Sequence, residues 1–262
     1  MYMQSDLVEV KVVGCSGTII INRPGHQNAL TRSMFEQLTE ALDDLYRERS
    51  VRAIILTGAG ETFCTGIDLQ ELQDDQPPQS QQQWGEDAAS FRDLLIRMLE
   101  IPKPIIAAVN GPALSCGAGL VSACDIVVAA EQATIGLPDP RFGLVAGVVA
   151  PLLCHRIGAG HATRLLLSSV TIDAAEAQRI ALFHELVGQN QVWARAVELA
   201  EQCAIGAPEA IQLTKRLLYE NVCEQLETQL STGAIMRATS CTTEAAQEGL
   251  AAFFEKRPPE WK

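Results

Sequence analysis

Residues 104–125 read PIIAAVNGPALSCGAGLVSACD. Pro104 to Val109 is a short apolar, β-branched run of buried-strand type, and Asn110-Gly111-Pro112 breaks it with turn residues. Beyond the turn, Ser115, Cys116, Gly117, Ala118 and Gly119 are all small, and the apolar pattern that continues to Ala123 predicts a buried helix. A strand therefore feeds a helix through a tight loop. The first N–H groups of such a helix have no partner in their own turn, so they can hold an anion or a developing oxyanion. Small residues serve equally well for close packing of strand on helix, and the stretch alone leaves both uses open.

Working outward, the same alternation recurs. Leu7 to Val13 and Thr18 to Ile21 predict a hairpin around Gly14 to Gly17. Asn22 to Asn28 is loop, and Thr31 caps a helix to about Arg49 whose apolar face carries Met34, Phe35, Leu38, Leu42 and Leu45. Val51 to Thr57 is a second buried strand, so strand, helix, strand suggests a parallel crossover. Gln73 to Gly85 is polar and rich in Gln and Pro, which predicts a surface loop, followed by a helix from about Asp87 to Glu100. Downstream, Asp125 to Ala130 and Ala133 to Gly136 are strands, and Val145 to Ile157 and His161 to Ser169 are helical by pattern. From Asp173 onward helix dominates. The expected architecture is an α/β core over residues 1–200 followed by a helical subdomain over residues 201–262.

A chain of 262 residues can bury a sizeable core, and a formal net charge of −12 argues against nucleic-acid or anionic-membrane partners. The cysteines show no C-x-x-C spacing and read as buried, reduced thiols; His26, His155, His161 and His184 show no metal-ligand spacing. No metal is expected. The N-terminus lacks the regions of a signal peptide and no apolar run reaches membrane-span length, so the expected compartment is the cytoplasm.

Two Gly-bearing turns follow two similar strands, Phe63-Cys64-Thr65-Gly66-Ile67-Asp68 and Ser115-Cys116-Gly117-Ala118-Gly119. If the strands are neighbours, each turn offers a backbone N–H to one point. Two convergent amides make an oxyanion hole, and loss of one donor costs about 3 kcal/mol of transition-state stabilisation.

Together NRPGHQNAL, FCTGIDL, NGPALSCGAGLVSACDIVVA, the Leu-Pro-Asp turn before Phe142-Gly143-Leu144 and the terminal FFEKRPPEWK resemble the enoyl-CoA hydratase/isomerase, or crotonase, family. The resemblance covers nearly the whole chain. It implies a crotonase-like spiral of ββα units with a helical C-terminal trimerisation subdomain, an acyl-coenzyme A thioester as substrate, no separate cofactor, and a homotrimer or a hexamer built from two trimers. It places the oxyanion hole on the N–H groups of Ile67 and Cys116. Substrate contacts implied in the same way fall on Arg23, His26, Thr65, Asp68, Trp84 and Lys256, the last reaching a neighbouring subunit's ligand.

The side chains depart from the family's hydratase pattern, in which two glutamates position one water. The first glutamate's place holds Gly119, and the second's holds Asp139. A carboxylate shorter by one methylene shifts the reacting atom, and a displacement of roughly 1 Å can cost about 10²-fold in rate. One carboxylate suffices to move a double bond, since a single base can take a proton beside the thioester and return it elsewhere. Asp139 is therefore the expected acid/base, against its alternative as a helix-cap or turn residue in Pro-Asp-Pro-Arg. Glu86 or Asp87 is the candidate for a second acid. Gly25 and Gln70 stand where the family often has phosphate-binding basic residues, which admits a carrier-bound acyl group and a polyketide-type dehydratase or decarboxylase. Two further readings compete. Ala113-Leu114-Ser115-Cys116-Gly117 comes close to a serine nucleophile elbow, with Asp125 or Asp139 and a later histidine as triad partners. The missing first glutamate also suits a non-catalytic acyl-CoA binder.

Overall fold

The apolar runs at either end of the first helix pair side by side. In this computed structural model, which describes residues 7–74, 80–221 and 223–261, strand β1 (Val8–Val13) folds back antiparallel on β2 (Ser16–Ile21), and helix α1 (Arg32–Arg47) leads to β3 (Ala53–Gly58), parallel to β2. Helices α2 (Leu69–Asp74) and α3 (Ser80–Glu100) lead to β4 (Ile105–Val109), parallel to β3. Then follow β5 (Ala113–Leu114), α4 (Cys116–Ala123), β6 (Ile126–Ala130), β7 (Thr134–Gly136), α5 (Ala150–Ser168), β8 (Thr171–Asp173), α6 (Ala174–Arg179) and β9 (Glu185–Val187). The larger sheet has the order β1-β2-β3-β4-β6-β9 and the smaller one β5-β7-β8. The chain ends in α7 (Val192–Ile205), α8 (Pro208–Glu220), α9 (Cys223–Cys241) and α10 (Glu244–Glu255).

Strands β3 and β4 lie mid-sheet and are covered on both faces, which is why their sequences are apolar without alternation: Ile54, Ile55, Ile105 and Ile106 are fully buried. Helix α1 buries the expected face, Met34, Phe35, Leu38, Leu42 and Leu45. Thr31 is its N-cap in extended conformation, but its Oγ1 pairs with Ser33 Oγ instead of a backbone N–H. Helix α7 packs on β3, β4 and β6. Helix α9 packs on α3 and α5, and α10 packs on the 3-10 turn Asp139–Phe142.

The C-terminal helices are anchored to the opening of the 104–125 stretch. The buried Lys215 of α8 donates from Nζ to the carbonyls of Met98 and Lys103 at 3.2 and 3.1 Å and to Asp125 Oδ2 at 2.7 Å. The same Asp125 oxygen accepts the Ile105 N–H at 2.7 Å, so one carboxylate ties the start of β4 to α8.

Several expectations are corrected. The polar segment 73–85 is not a loop where it is described: Gln73 and Asp74 end α2, and Ser80 to Gly85 form the first turns of α3, residues 75–79 lying outside the described residues. Glutamine is a good helix former, and the buried stripe of Asp87, Phe91, Leu94 and Met98 extends backward through Ser80 at helical spacing. The helix expected from Val145 starts only at Ala150, and Gly158 (φ 73) kinks it where two helices had been expected. Strands β5, β8 and β9, two or three residues each, carry too little pattern to be seen without their partners.

Candidate active site

Parallel pairing of β3 with β4 sets the two Gly-bearing turns beside each other. Phe63 and Cys64 donate N–H groups to the Pro112 carbonyl at 3.2 and 3.1 Å, and Leu114 N–H donates to the Cys64 carbonyl at 2.8 Å. Gly66 has φ 107, and a Cβ on it would stand 2.7 Å from the Ser115 Cβ, so the close approach requires glycine. Ile67 and Cys116 both line a narrow inner chamber, part of it open to solvent. Cys116 opens α4 and has no carbonyl one turn back in its own helix. The Ile67 N–H faces the Cys116 sulfur. Burial pushes the Cys116 thiol up to about 12, outweighing the pull of the nearby Arg237 charge, so it stays protonated and is no nucleophile at neutral pH.

Asp139 opens the 3-10 turn Asp139–Phe142 and is 4% exposed. It caps nothing through its side chain: Oδ1 accepts the Ser115 hydroxyl at 2.8 Å and lies 3.6 Å from Arg237 Nη1 of α9. Oδ2 is buried without a hydrogen-bond partner among the described residues. Two more buried polar atoms share that condition, Trp84 Nε1 and Arg237 Nη1, and all three residues line the inner chamber. Buried polar groups are almost always paired, by protein, water or ligand, so three orphans around one apolar cavity make it the candidate binding site.

The place of the hydratase glutamate is closed. A Cβ on Gly119 would stand 2.8 Å from Phe91 Cζ and 3.0 Å from Val149 Cγ2, and both side chains line the chamber. Phe91 is itself held against Phe35, with ring centroids 5.7 Å apart.

An outer channel, open to solvent, shares Ile67, Ser115, Asp139 and Arg237 with the inner chamber. Arg23, His26, Thr65 and Asp68 line it, as do the neutral Gly25 and Gln70. Arg23 and Asp68 are spent on each other, Nη1 to Oδ2 at 2.6 Å, and Thr65 Oγ1 donates to the Gln27 carbonyl at 3.2 Å. Trp84 lines the inner chamber from α3, not from a loop. Lys256 caps the C-terminus of α10 and is not among the residues lining either cavity. Of the candidates for a second acid, Glu86 is exposed and accepts from Gln82 at 2.8 Å. Asp87 lines the chamber, but both its oxygens are taken by Arg32, Nε to Oδ1 and Nη2 to Oδ2 at 2.8 Å each.

The serine-nucleophile reading loses its base. Ser115 donates to a carboxylate, no histidine lines the inner chamber, and His184 Nδ1 accepts the Val127 N–H at 2.9 Å. Asp125, the other triad candidate, is held by Lys215 and Ile105. Sequence reading missed Arg237, whose only signal is one charge inside the stretch GAIMRATS, and missed Ser115 as a partner of Asp139. Among the described residues no group of side chains could hold a metal ion, and no helix is long and apolar enough to cross a membrane.

A spiral α/β core carrying paired backbone turns at the mouth of an apolar chamber defines a class already known from solved structures. The crystal structure of an enoyl-CoA hydratase/isomerase from Pseudoalteromonas atlantica superposes with a TM-score of 0.86 at 30% identity, over 97% of this chain and 99% of the other. The family model for enoyl-CoA hydratase/isomerase matches residues 16–262, and the chain belongs to that family. A putative enoyl-CoA hydratase of Thermus thermophilus is 37% identical over 94% of this chain and 97% of its own length. The 2,3-dehydroadipyl-CoA hydratase of Escherichia coli is 31% identical over 93% and 94%. The mixed α/β core and C-terminal helices are thus those of the crotonase fold, and the protein is an enzyme of the enoyl-CoA hydratase/isomerase family.

Proposed function

We propose that this enzyme moves a double bond in an enoyl-CoA thioester, with Asp139 as its single acid/base. One observation carries the reading: Asp139 Oδ2 is buried, unpartnered and set on the chamber wall, whereas the space beside Gly119, the first glutamate's place, is crowded by Phe91 and Val149. Oδ2 takes a proton from C2 of a 3-enoyl thioester, breaking that C–H bond. The electron pair spreads into a dienolate whose oxygen is held by the N–H groups of Ile67 and Cys116. Oδ2 then returns the proton to C4, leaving the double bond conjugated with the thioester. Ser115 serves as a positioning residue, holding Oδ1 so that Oδ2 faces the substrate. For the Ile67 amide to act, the Cys116 thiol beside it must rotate aside as the thioester oxygen enters.

Hydration is the second reading, favoured by relatives named as hydratases. Incubation with a 3-enoyl-CoA is expected to produce the absorbance of a conjugated thioester, and a 2-enoyl-CoA is expected to lose it only slowly. Rapid loss from the 2-enoyl-CoA with no gain from the 3-enoyl-CoA would overturn isomerisation in favour of hydration. Repeating both arms on carrier-bound thioesters separates a coenzyme A substrate from a carrier substrate.

The assembly proposed with this function is a homotrimer or a dimer of trimers. Its support is apolar surface left open on the C-terminal helices, Leu213, Leu217 and Leu218 on α8 and Ile235 and Met236 on α9. Sedimentation velocity is expected to show trimers or hexamers, and a stable monomer would sink the proposal.

A further inference from the structure

The guanidinium of Arg237 has more hydrogen-bonding capacity than the protein uses. Its side chain is 12% exposed, and its nearest charge is Asp139 Oδ1 at 3.6 Å. Its buried Nη1 has no hydrogen-bond partner, and no other hydrogen bond joins the guanidinium to a described residue. Arginine presents five donors in a rigid fork that fits carboxylates, and it stays charged when buried. A buried donor such as Nη1, in ion-pair range of Asp139 but beyond hydrogen-bond reach of it, is costly unless something else supplies an acceptor. The second orphaned donor of the chamber, Trp84 Nε1, asks for an acceptor too.

Placement narrows the ligand. Arg237 lines both the inner chamber and the outer channel, as do Ile67, Ser115 and Asp139, so it stands at their junction, next to the proposed reacting atoms. The rest of the chamber wall is largely apolar, with Phe35, Leu72, Phe91, Val148 and Val149, and its other acidic side chain, Asp87, is matched by Arg32. A plain alkyl chain would fill that space and leave both donors unpaired. We infer that the acyl group this site takes is short and carries its own carboxylate, received by Arg237 with the Trp84 N–H as a further donor. The inference rests on the acyl-thioester reading above.

The test uses glutaryl-CoA and pentanoyl-CoA, saturated thioesters of equal carbon count that bear no double bond to move, so calorimetric binding is read apart from turnover. Wild-type protein is expected to bind glutaryl-CoA about tenfold or more tighter, the range of charge-assisted hydrogen bonds. Arg237→Met is expected to erase that preference while pentanoyl-CoA affinity changes far less, and Arg237→Lys to keep part of it. Trp84→Phe, which keeps a ring and removes the N–H, is expected to reduce it several-fold. If wild type binds both thioesters equally, or Arg237→Met leaves the preference intact, the inference falls and the acyl-thioester reading stands. If neither thioester binds, both fall. Should Arg237→Met not fold, the wild-type ratio and the lysine variant decide.

Discussion

Replacing Asp139 with Asn is expected to lower kcat for 3-enoyl-CoA isomerisation by about 10²–10⁴-fold, the range supplied by a positioned general acid/base. The substitution is nearly isosteric. An amide oxygen at the Oδ1 position still accepts the Ser115 hydroxyl, now 2.8 Å away, so the turn keeps its shape. What disappears is the proton acceptor at Oδ2, an atom without any other partner among the described residues. Affinity for a saturated acyl-CoA is expected to change by less than about threefold, because binding rests on the chamber walls and the backbone amides. Steady-state kinetics and calorimetry on the same preparation separate the two effects. A variant with wild-type kcat would remove Asp139 from the chemistry and place the acid/base on another group.

The second large effect is expected at Gly119. Restoring the family's glutamate there, Gly119→Glu, is expected to destabilise the protein by about 3 kcal/mol or more and to create no hydratase activity. The new Cβ would meet Phe91 Cζ at 2.8 Å and Val149 Cγ2 at 3.0 Å, and beyond it a carboxylate would enter a buried helix face. Phe91 has little freedom to yield, being 4% exposed and packed on Phe35. At roughly 2–4 °C per kcal/mol for a domain of this size, the melting temperature is expected to fall by about 6–12 °C. A variant that melts like wild type and hydrates 2-enoyl-CoA would show that the missing carboxylate alone separates this site from a two-glutamate hydratase. The physical reason to expect otherwise is that the chamber wall has been rebuilt around the glycine.

Both expectations start from positions that could be read in the chain. Gly119 and Asp139 are picked out by the resemblance to the family's motifs, and the motifs kept their local form: β4 covers Ile105–Val109 and α4 covers Cys116–Ala123. The neighbourhood of the two turns stayed a condition in the chain, and the parallel pairing of β3 with β4 meets it. The start of α3 was not legible. Gln, Pro and Ser dominate the segment before it, and only the packing of Trp84, Asp87 and Phe91 around the chamber shows that Ser80 to Gly85 belong to the helix.

Pro104 to Asp125 thus determined by itself a strand, a turn, a helix with unpartnered leading amides, and the absence of a carboxylate at position 119, because each depends on residues a few positions apart. Tertiary structure alone decided which charges are free. It paired Asp87 with Arg32, spent Arg23 on Asp68, and carried Arg237 on α9 to within 3.6 Å of Asp139. Those outcomes depend on contacts between segments far apart in the chain, and a side chain's partner is set by where the folded backbone delivers it.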